Sequence, residues 1–177
     1  LGFIAKVLSD CIGAAIGVPL EDEPSGKLTH VGGVVRTGDG ALDLSIDIRY
    51  PVTCKGADVL AAITAETAKY GVSVYNVTDS APLYIPADSE LVGMCMETVG
   101  ELFPEKTWKP YTMGGGTYAR HFPYAVSFGP EHVDLPLPEF GGPMHGANEA
   151  APIDKLLEAV KIYIIALLRL EAVSYTH

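Results

Sequence analysis

A strictly alternating stretch in the first third of the chain constrains the fold most. Between Ala41 and Tyr50, apolar residues occupy alternate positions, Leu42, Leu44, Ile46 and Ile48, and a polar residue follows each of them. This period of two is typical of a strand with one buried face. A second β-like run, Leu28 to Arg36, precedes it, and the turn Thr37-Gly38-Asp39-Gly40 lies between them. The pattern predicts a half-buried antiparallel β-hairpin.

The residues around the hairpin predict further elements. Apolar spacing predicts a helix over Phe3 to Ile16 and another over Ala57 to Lys69, with Gly71 as its C′ residue. Valines at alternate positions predict a strand from Val72 to Val77. The resulting order, α-β-β-α-β, is a split β-α-β unit without its first strand, which suggests a truncated domain.

The second half of the chain predicts a separate α/β piece. The proline-rich connection 81–86 is the candidate boundary, so we predict domains at 1–80 and 81–177. After it we predict a helix capped by Asp88 and ending near Phe103, then short strands at Tyr111–Met113 and Ala125–Phe128. An extended loop covers Glu131–Pro143. The last element is a helix with an apolar stripe of seven residues: Ile153, Leu156, Leu157, Val160, Ile164, Leu167 and Leu168.

Charge and cysteine content exclude several classes of function. The chain carries 22 acidic and 12 basic residues, a formal net charge of −10, so it would repel nucleic acid and anionic membranes. Its longest apolar stretch, Ile162 to Leu170, is too short to span a bilayer, which needs about 20 residues. Three scattered cysteines without a CxxC motif indicate free thiols in a reducing compartment. Together these features predict a cytoplasmic protein.

The stretch Met144-His145-Gly146-Ala147-Asn148-Glu149 is a candidate metal site. His145 lies in a Gly/Pro-rich loop just before a helix, where an imidazole can reach into a cleft, and Asn148 and Glu149 could orient it or its ligand. The alternative interpretation is a surface histidine near a capping asparagine. A catalytic zinc needs about three protein ligands, and only His145 can be nominated.

Two further stretches could bind an anionic substrate group. Gly114-Gly115-Gly116, followed by Thr117, offers bare backbone N–H groups to a carboxylate or oxyanion, although a tight turn explains the glycines equally well. A phosphate loop is excluded because no Gly-Lys-Ser/Thr follows. Arg49 ends its strand and could offer a bidentate fork to a carboxylate, or else form a surface ion pair with Asp47.

Three motifs, taken in order, resemble a known enzyme family. They are Ser45-Ile46-Asp47-Ile48-Arg49-Tyr50-Pro51-Val52, Gly114-Gly115-Gly116-Thr117-Tyr118-Ala119-Arg120 and His145-Gly146-Ala147-Asn148-Glu149. The combination resembles the C-terminal half of di-zinc dipeptidases of the dipeptidase V type. Those enzymes are relatives of Xaa-His dipeptidase, succinyl-diaminopimelate desuccinylase, aminoacylase-1 and carnosinase. Smaller matches lie in 23–29, 81–84 and 153–157, so the resemblance covers nearly the whole chain.

The resemblance implies a fold and a set of roles. Residues 1–80 would be part of an α+β lid with an antiparallel sheet, and 81–177 the end of an α/β catalytic domain that holds two zinc ions, or manganese or cobalt. His145 would be the last metal ligand, and Arg49 would grip the C-terminal carboxylate of a small peptide or N-acyl amino acid. Gly115 and Gly116 would line the substrate backbone. The supporting residues would be Gly114, Thr117, Asn148 and Glu149.

The resemblance also implies that much of the enzyme lies upstream of Leu1. No match exists for the His-x-Asp metal motif, the bridging Asp, the Glu-Glu pair with the general base, or the lid histidine; His30 would be structural. We therefore expect this chain alone to be inactive and to need the N-terminal half. The competing interpretation is a non-catalytic binding or self-association module of the same fold, such as a homodimer.

Overall fold

The computed structural model describes residues 1–38, 40–129 and 136–174, and it combines helices with small antiparallel sheets. Two compact units make up the chain, Leu1–Tyr84 with Tyr111–Gly116, and Ile85–Pro110 with Thr117–His177. The turn residue Asp39 and residues 130–135 of the predicted loop lie outside the described residues. The division into domains at 1–80 and 81–177 stays a prediction.

The predicted β-hairpin is confirmed as the main sheet of the first unit. Strand β3 (Thr29–Gly38) pairs antiparallel with β4 (Ala41–Arg49), in a register that places Thr29 opposite Arg49. The register shifts between Gly32 and Val34, which marks a β-bulge. The alternate apolar residues of β4 are half-buried, as the period of two predicts, and its polar residues are exposed.

The core of the first unit lies between the hairpin and two helices, α1 (Gly2–Leu8) and α2 (Gly56–Ala68). A two-residue hairpin of β1 (Glu21–Asp22) and β2 (Gly26–Lys27) and a 3₁₀ turn at Ala14–Ile16 complete this unit. The partly buried residues Leu44, Ile46 and Ile48 of β4 pack against a buried cluster, which consists of Val7, Ala15, Ile16, Val18, Leu28, Val59 and Ile63.

The helix predicted over Phe3 to Ile16 is too long, because α1 ends at Leu8. The Asp10 carboxylate accepts backbone N–H bonds from Ile12 (3.0 Å) and Ala15 (2.7 Å), which replaces helical bonds with a local turn. The Ala15 bond is the main reason why the pKa of Asp10 lies below its usual value. Gly13 adopts a left-handed conformation at φ 84°, which ends any continuation of the helix.

A buried histidine holds this turn against the sheet. His30 is only 5% exposed; its Nδ1 accepts from Gly13 N–H (3.2 Å), so Nε2 carries the proton that it donates to Val7 O (3.3 Å). Its own backbone N–H donates to Cys11 O (2.9 Å). His30 therefore satisfies buried backbone groups with both nitrogens of its ring.

Helix α2 ends in a Schellman motif, which confirms Gly71 as the C′ residue. Gly71 has φ 67°; its N–H donates to Ala68 O, and Val72 N–H donates to Thr67 O. The strand predicted from Val72 to Val77 is wrong. A strand requires a partner, and the sheets in the described residues are only the two hairpins. The segment is held instead by side chains, and the hydrogen bond to Asp43 raises the pKa of Tyr75.

The second unit is built on two long helices, α3 (Glu90–Leu102) and α4 (Ile153–Ser174). Arg169 of α4 donates to Thr98 Oγ1 (3.2 Å) and forms an ion pair with Glu101 of α3. The cap predicted at Asp88 is wrong by one residue, because the Ser89 hydroxyl accepts from Val92 N–H and occupies the N-cap position.

Other predictions for the second half also need correction. Neither Tyr111–Met113 nor Ala125–Phe128 forms a strand; the regular element that the structure has there is a 3₁₀ turn at Tyr118–His121. The apolar stripe predicted for α4 is not the face that the helix buries. The residues of α4 that are buried are Ala159, Ile162 and Ala166, whereas Leu157 and Leu167 are 67% and 65% exposed. Helix α4 is apolar on two faces, and periodicity cannot tell which one α3 covers.

Candidate functional site

Arg49 lies against the bare backbone of Gly114 in the first unit. A Cβ atom on Gly114 would be 2.6 Å from Arg49 Cδ, which is closer than real Cβ contacts allow, and 3.1 Å from its Nη1. The Arg49 side chain is 51% exposed, and its Nη2 lies 3.6 Å from Asp47 Oδ2. An exposed ion pair of this length contributes little to stability, so the guanidinium remains available for another carboxylate. The structure thus brings Arg49 next to Gly114, the first glycine of the run that the sequence singled out.

The turn between β1 and β2 holds the backbone that follows Arg49. Asp22 Oδ1 accepts from the backbone N–H (2.7 Å) and hydroxyl (2.6 Å) of Ser25. Asp22 Oδ2 accepts from Thr53 N–H (3.0 Å), and Ser25 Oγ accepts from Val52 N–H (3.0 Å). Partial burial raises the pKa of Asp22, but the Ser25 and Thr53 hydrogen bonds outweigh it and lower the pKa to about 2. Asp22 is therefore an ionised acceptor that fixes residues 52 and 53.

A second carboxylate anchors the residue next to Arg49. The Tyr50 hydroxyl donates to Asp79 Oδ1 (2.8 Å), and a Cβ atom on Gly56 would be 2.1 Å from Asp79 Oδ2. Asp79 therefore reaches the first turn of α2, where the helix dipole favours a negative charge. Sequence reasoning missed Asp22 and Asp79. An Asp three residues before Ser in a Pro/Gly turn could have indicated the first, but nothing in the sequence points to the second.

His145 is exposed on a tightly closed loop in the second unit. Its backbone N–H donates to Glu149 Oε2 (3.1 Å), Gly142 N–H donates to Asn148 O (2.8 Å) and Gly146 N–H donates to Pro143 O (2.8 Å). His145 and Asn148 have positive φ angles of 62° and 59°. Non-glycine residues rarely adopt this conformation, so the loop stores strain where the sequence predicts a ligand.

Glycine is required where this loop closes. A Cβ atom on Gly142 would be 1.8 Å from Ala147 O, a distance that no side chain can tolerate. The structure thus brings His145 and Glu149 together through the backbone, with Asn148 completing the closure. Glu149 contacts His145 through its backbone amide, not through its imidazole. Its supporting role at a metal site remains a prediction.

The other predicted residues divide between the two units. Gly115 and Gly116 belong to the first unit, and a Cβ atom on Gly115 would meet open space. Thr117 belongs to the second unit, where its hydroxyl lies 2.6 Å from the Ser127 hydroxyl. The motif Gly-Gly-Gly-Thr-Tyr-Ala-Arg is thus split between the units after Gly116.

The described residues do not hold a metal ion by themselves. Within 1–38, 40–129 and 136–174, no three His, Cys, Asp or Glu side chains cluster closely enough to bind one. A zinc site needs about three such ligands, so these residues do not fit the zinc pair that the resemblance implies without further ligands. Over the same residues, no helix combines the length and hydrophobicity needed to cross a membrane.

Comparison with known proteins supports a relationship to dipeptidases. The chain matches no protein-family model. It is 31% identical over 169 residues to the "Putative dipeptidase YtjP" of Bacillus subtilis, covering 93% of this chain and 34% of that protein. It is 29% identical over 178 residues to the "Beta-Ala-Xaa dipeptidase" of Lactobacillus delbrueckii subsp. lactis, covering 96% and 35%. It is also 26% identical over 162 residues to the "Putative dipeptidase SSP1012" of Staphylococcus saprophyticus, covering 89% and 33%.

The chain spans about a third of the length of these curated relatives. Nearly all of it takes part in each match, so the likeness is not confined to one motif. All three relatives carry the name dipeptidase, and the dipeptidase V subtype of this chain remains a prediction. Nearly the whole chain is thus similar in sequence to a segment of proteins named dipeptidases, a segment that makes up about one third of their length.

Proposed function

We propose that this chain is the C-terminal portion of a metal-dependent dipeptidase of the dipeptidase V type, which cleaves dipeptides or N-acyl amino acids with a metal-activated water. The observation that carries the proposal is the 31% identity to a protein named as a dipeptidase, over 93% of the chain. The relative named Beta-Ala-Xaa dipeptidase suggests the substrate class, a dipeptide with a free C-terminal carboxylate. In this proposal, residues 1–80 belong to a lid, 81–177 to a catalytic domain, and the enzyme is cytoplasmic.

Arg49 binds the substrate carboxylate in this proposal. Its side chain is half-exposed beside Gly114, and a guanidinium offers two parallel N–H donors that match a carboxylate. Gly115 and Gly116 follow with no side chain, so a peptide backbone can approach them closely. These groups orient the substrate rather than break its bond.

His145 contributes one metal ligand in this proposal, and the other ligands come from polypeptide outside this chain. The His145 residue is exposed, and its loop is closed by its own backbone hydrogen bonds rather than by its imidazole. Zinc or another divalent ion would supply the Lewis acid. The catalytic base is also expected outside this chain, so we expect the isolated chain to hydrolyse no dipeptide.

A chimera tests this proposal directly. This chain would replace the matched third of the Lactobacillus delbrueckii enzyme, and hydrolysis of a β-alanyl dipeptide would be measured. We expect activity that His145→Ala abolishes and that Arg49→Lys reduces through a higher KM, because an ammonium cannot form the bidentate contact. The matched control is His121→Ala, an exposed histidine of the second unit. A folded chimera whose activity survives His145→Ala would refute the assignment of the ligand.

The isolated chain provides a second test that does not depend on the chimera folding. After incubation with excess zinc and dialysis, elemental analysis should find that the chain retains no zinc. Two tightly bound zinc ions per chain would mean that the site is complete here, and that the chain is not a fragment of the catalytic apparatus.

A specific observation favours a second candidate function, self-association as a homodimer without catalysis. Helix α4 leaves a continuous apolar face exposed, formed by Ile153, Leu156, Leu157, Val160, Ile164, Leu167 and Leu168. Surfaces of this kind usually mark contact with another protein surface. Sedimentation of the chain across a range of concentrations, with Leu157→Lys as the variant, tests this candidate. A monomer at all concentrations would exclude it.

A further inference from the structure

We propose that Asp22, Ser25 and Gly114 are positioning residues that hold the Arg49 guanidinium ready for a carboxylate ligand. The proposal rests on the proposed function, because that function gives Arg49 its ligand. In this arrangement, one turn fixes both the backbone that follows Arg49 and the segment that leads to Gly114. In this proposal, none of these three residues touches the substrate carboxylate itself.

The β1–β2 turn contacts two segments that are distant in sequence. Through Asp22 and Ser25 it accepts the backbone N–H groups of Val52 and Thr53, which follow Arg49 by three and four residues. On its other side, Pro24 O accepts a long hydrogen bond (3.5 Å) from the hydroxyl of Thr112, two residues before Gly114. The turn is thus the common support of both walls of the Arg49 site.

Ser25 is central to this support because its hydroxyl works in both directions. It donates to Asp22 (2.6 Å) and accepts from Val52 N–H (3.0 Å). Bonds to an ionised carboxylate are stronger than neutral ones, so the Asp22 acceptor makes the turn rigid. Removing the hydroxyl would leave Val52 N–H without this acceptor and would release the end of β4.

Gly114 acts by having no side chain. Arg49 Cδ occupies the space that a Cβ atom on Gly114 would need, 2.6 Å away. A methyl group there would push the arginine side chain away from the glycine backbone. The chemical class recognised is a carboxylate next to an amide, since the guanidinium lies beside the bare backbone of Gly114.

The experiment uses the full 177-residue chain and NMR of the Arg49 side-chain Nε–Hε group, assigned with Arg49→Lys. The probe is N-acetylglycine, and N-acetylglycinamide, which lacks the charge, is the ligand control. We expect a saturable shift with the acid only, together with a nuclear Overhauser contact between Gly114 Hα and Arg49 Hδ. Gly114→Ala and Ser25→Ala should each weaken the affinity about tenfold.

Two variants separate positioning from general stability. Ser25→Thr keeps the hydroxyl and should retain the affinity for N-acetylglycine. Gly33→Ala, at a glycine of the same unit where a Cβ atom meets open space, should also bind as the unaltered chain does. Thermal unfolding of each variant confirms that binding is measured well below its melting temperature, so an effect confined to stability would leave the affinity unchanged.

The outcomes distinguish failure of the inference from failure of the proposed function. If the unaltered chain binds and Gly114→Ala or Ser25→Ala binds equally well, the positioning role is overturned while the carboxylate role of Arg49 stands. If the unaltered chain shows the Gly114–Arg49 contact but no shift with N-acetylglycine, the carboxylate role itself is overturned, and the positioning role falls with it.

Discussion

Replacing Gly142 with alanine should open the loop that presents His145 without unfolding the protein. The new Cβ atom would be 1.8 Å from Ala147 O, whereas real Cβ contacts are essentially never under 3.0 Å. The loop must therefore lose the hydrogen bond from Gly142 N–H to Asn148 O. This change tests whether the geometry around the predicted ligand depends on one glycine.

The size of the effect follows from two opposing contributions. The loop is closed by the hydrogen bonds of Gly142, His145 and Gly146, which contribute about 1 kcal/mol each, or about 3 kcal/mol together. Against them, the positive φ angles of His145 and Asn148 cost about 1–2 kcal/mol each. The closed loop is thus near balance, so losing one bond to a steric clash shifts it to open forms.

Hydrogen exchange and ¹⁵N relaxation of the amides between residues 142 and 149 measure this opening. Because the closed loop is near balance, we expect the His145 amide to be only weakly protected in the unaltered chain and to lose that protection in Gly142→Ala, while global stability changes by less than about 1 kcal/mol. The matched control is Gly129→Ala, where a Cβ atom meets open space in the same unit. Unchanged protection of His145 in Gly142→Ala would refute the reasoning.

Three further predictions concern stability. His30→Leu removes the acceptor of the buried Gly13 N–H and should cost about 2–4 kcal/mol in urea unfolding, whereas His121→Leu at an exposed site should cost less than about 0.5 kcal/mol; equal effects would contradict the role of His30. The pKa of Asp22 is lowered to about 2, so its contribution to folding stability is complete above about pH 4 and is lost as the pH falls to about 2. In Asp22→Asn, the free energy of unfolding should therefore depend less on pH between about 4 and 2 than in the unaltered chain. The same pH dependence in both proteins would contradict this role of Asp22. Ser89→Ala should lower the stability of α3 by about 1 kcal/mol and Asp88→Ala should not, as measured by thermal melting; the reverse order would restore Asp88 as the cap.

Patterns with a unique structural meaning were read correctly from the sequence. The alternation of Leu42, Leu44 and Ile46 with polar residues fits only a half-buried strand, and the Gly-rich turn before it fixes the hairpin. Gly71 after an alanine-rich helix is equally specific. These signals are local, because the strand pattern and the cap depend on a few neighbouring residues.

The errors concern features that depend on distant residues. A strand at 72–77 needs a partner strand that the described residues do not contain, so alternation alone was insufficient. The choice between the two apolar faces of α4 depends on what covers them, and α3 covers the narrower face of Ala159, Ile162 and Ala166. At the candidate site, the sequence singled out Arg49 and the glycine run, but not the Asp22 carboxylate that fixes the backbone after Arg49.

The return of residues 111–116 to the first unit affects how this protein can be dissected. That unit consists of two separate stretches of chain, so no single cut releases it whole. A shortened chain ending at residue 84 would contain Arg49 and lack Gly114, its neighbour, while one starting at residue 85 would carry the glycine without the arginine. Recombination between related proteins at that boundary would likewise pair an arginine from one parent with a glycine from the other, and the two would have to be exchanged together to preserve their fit.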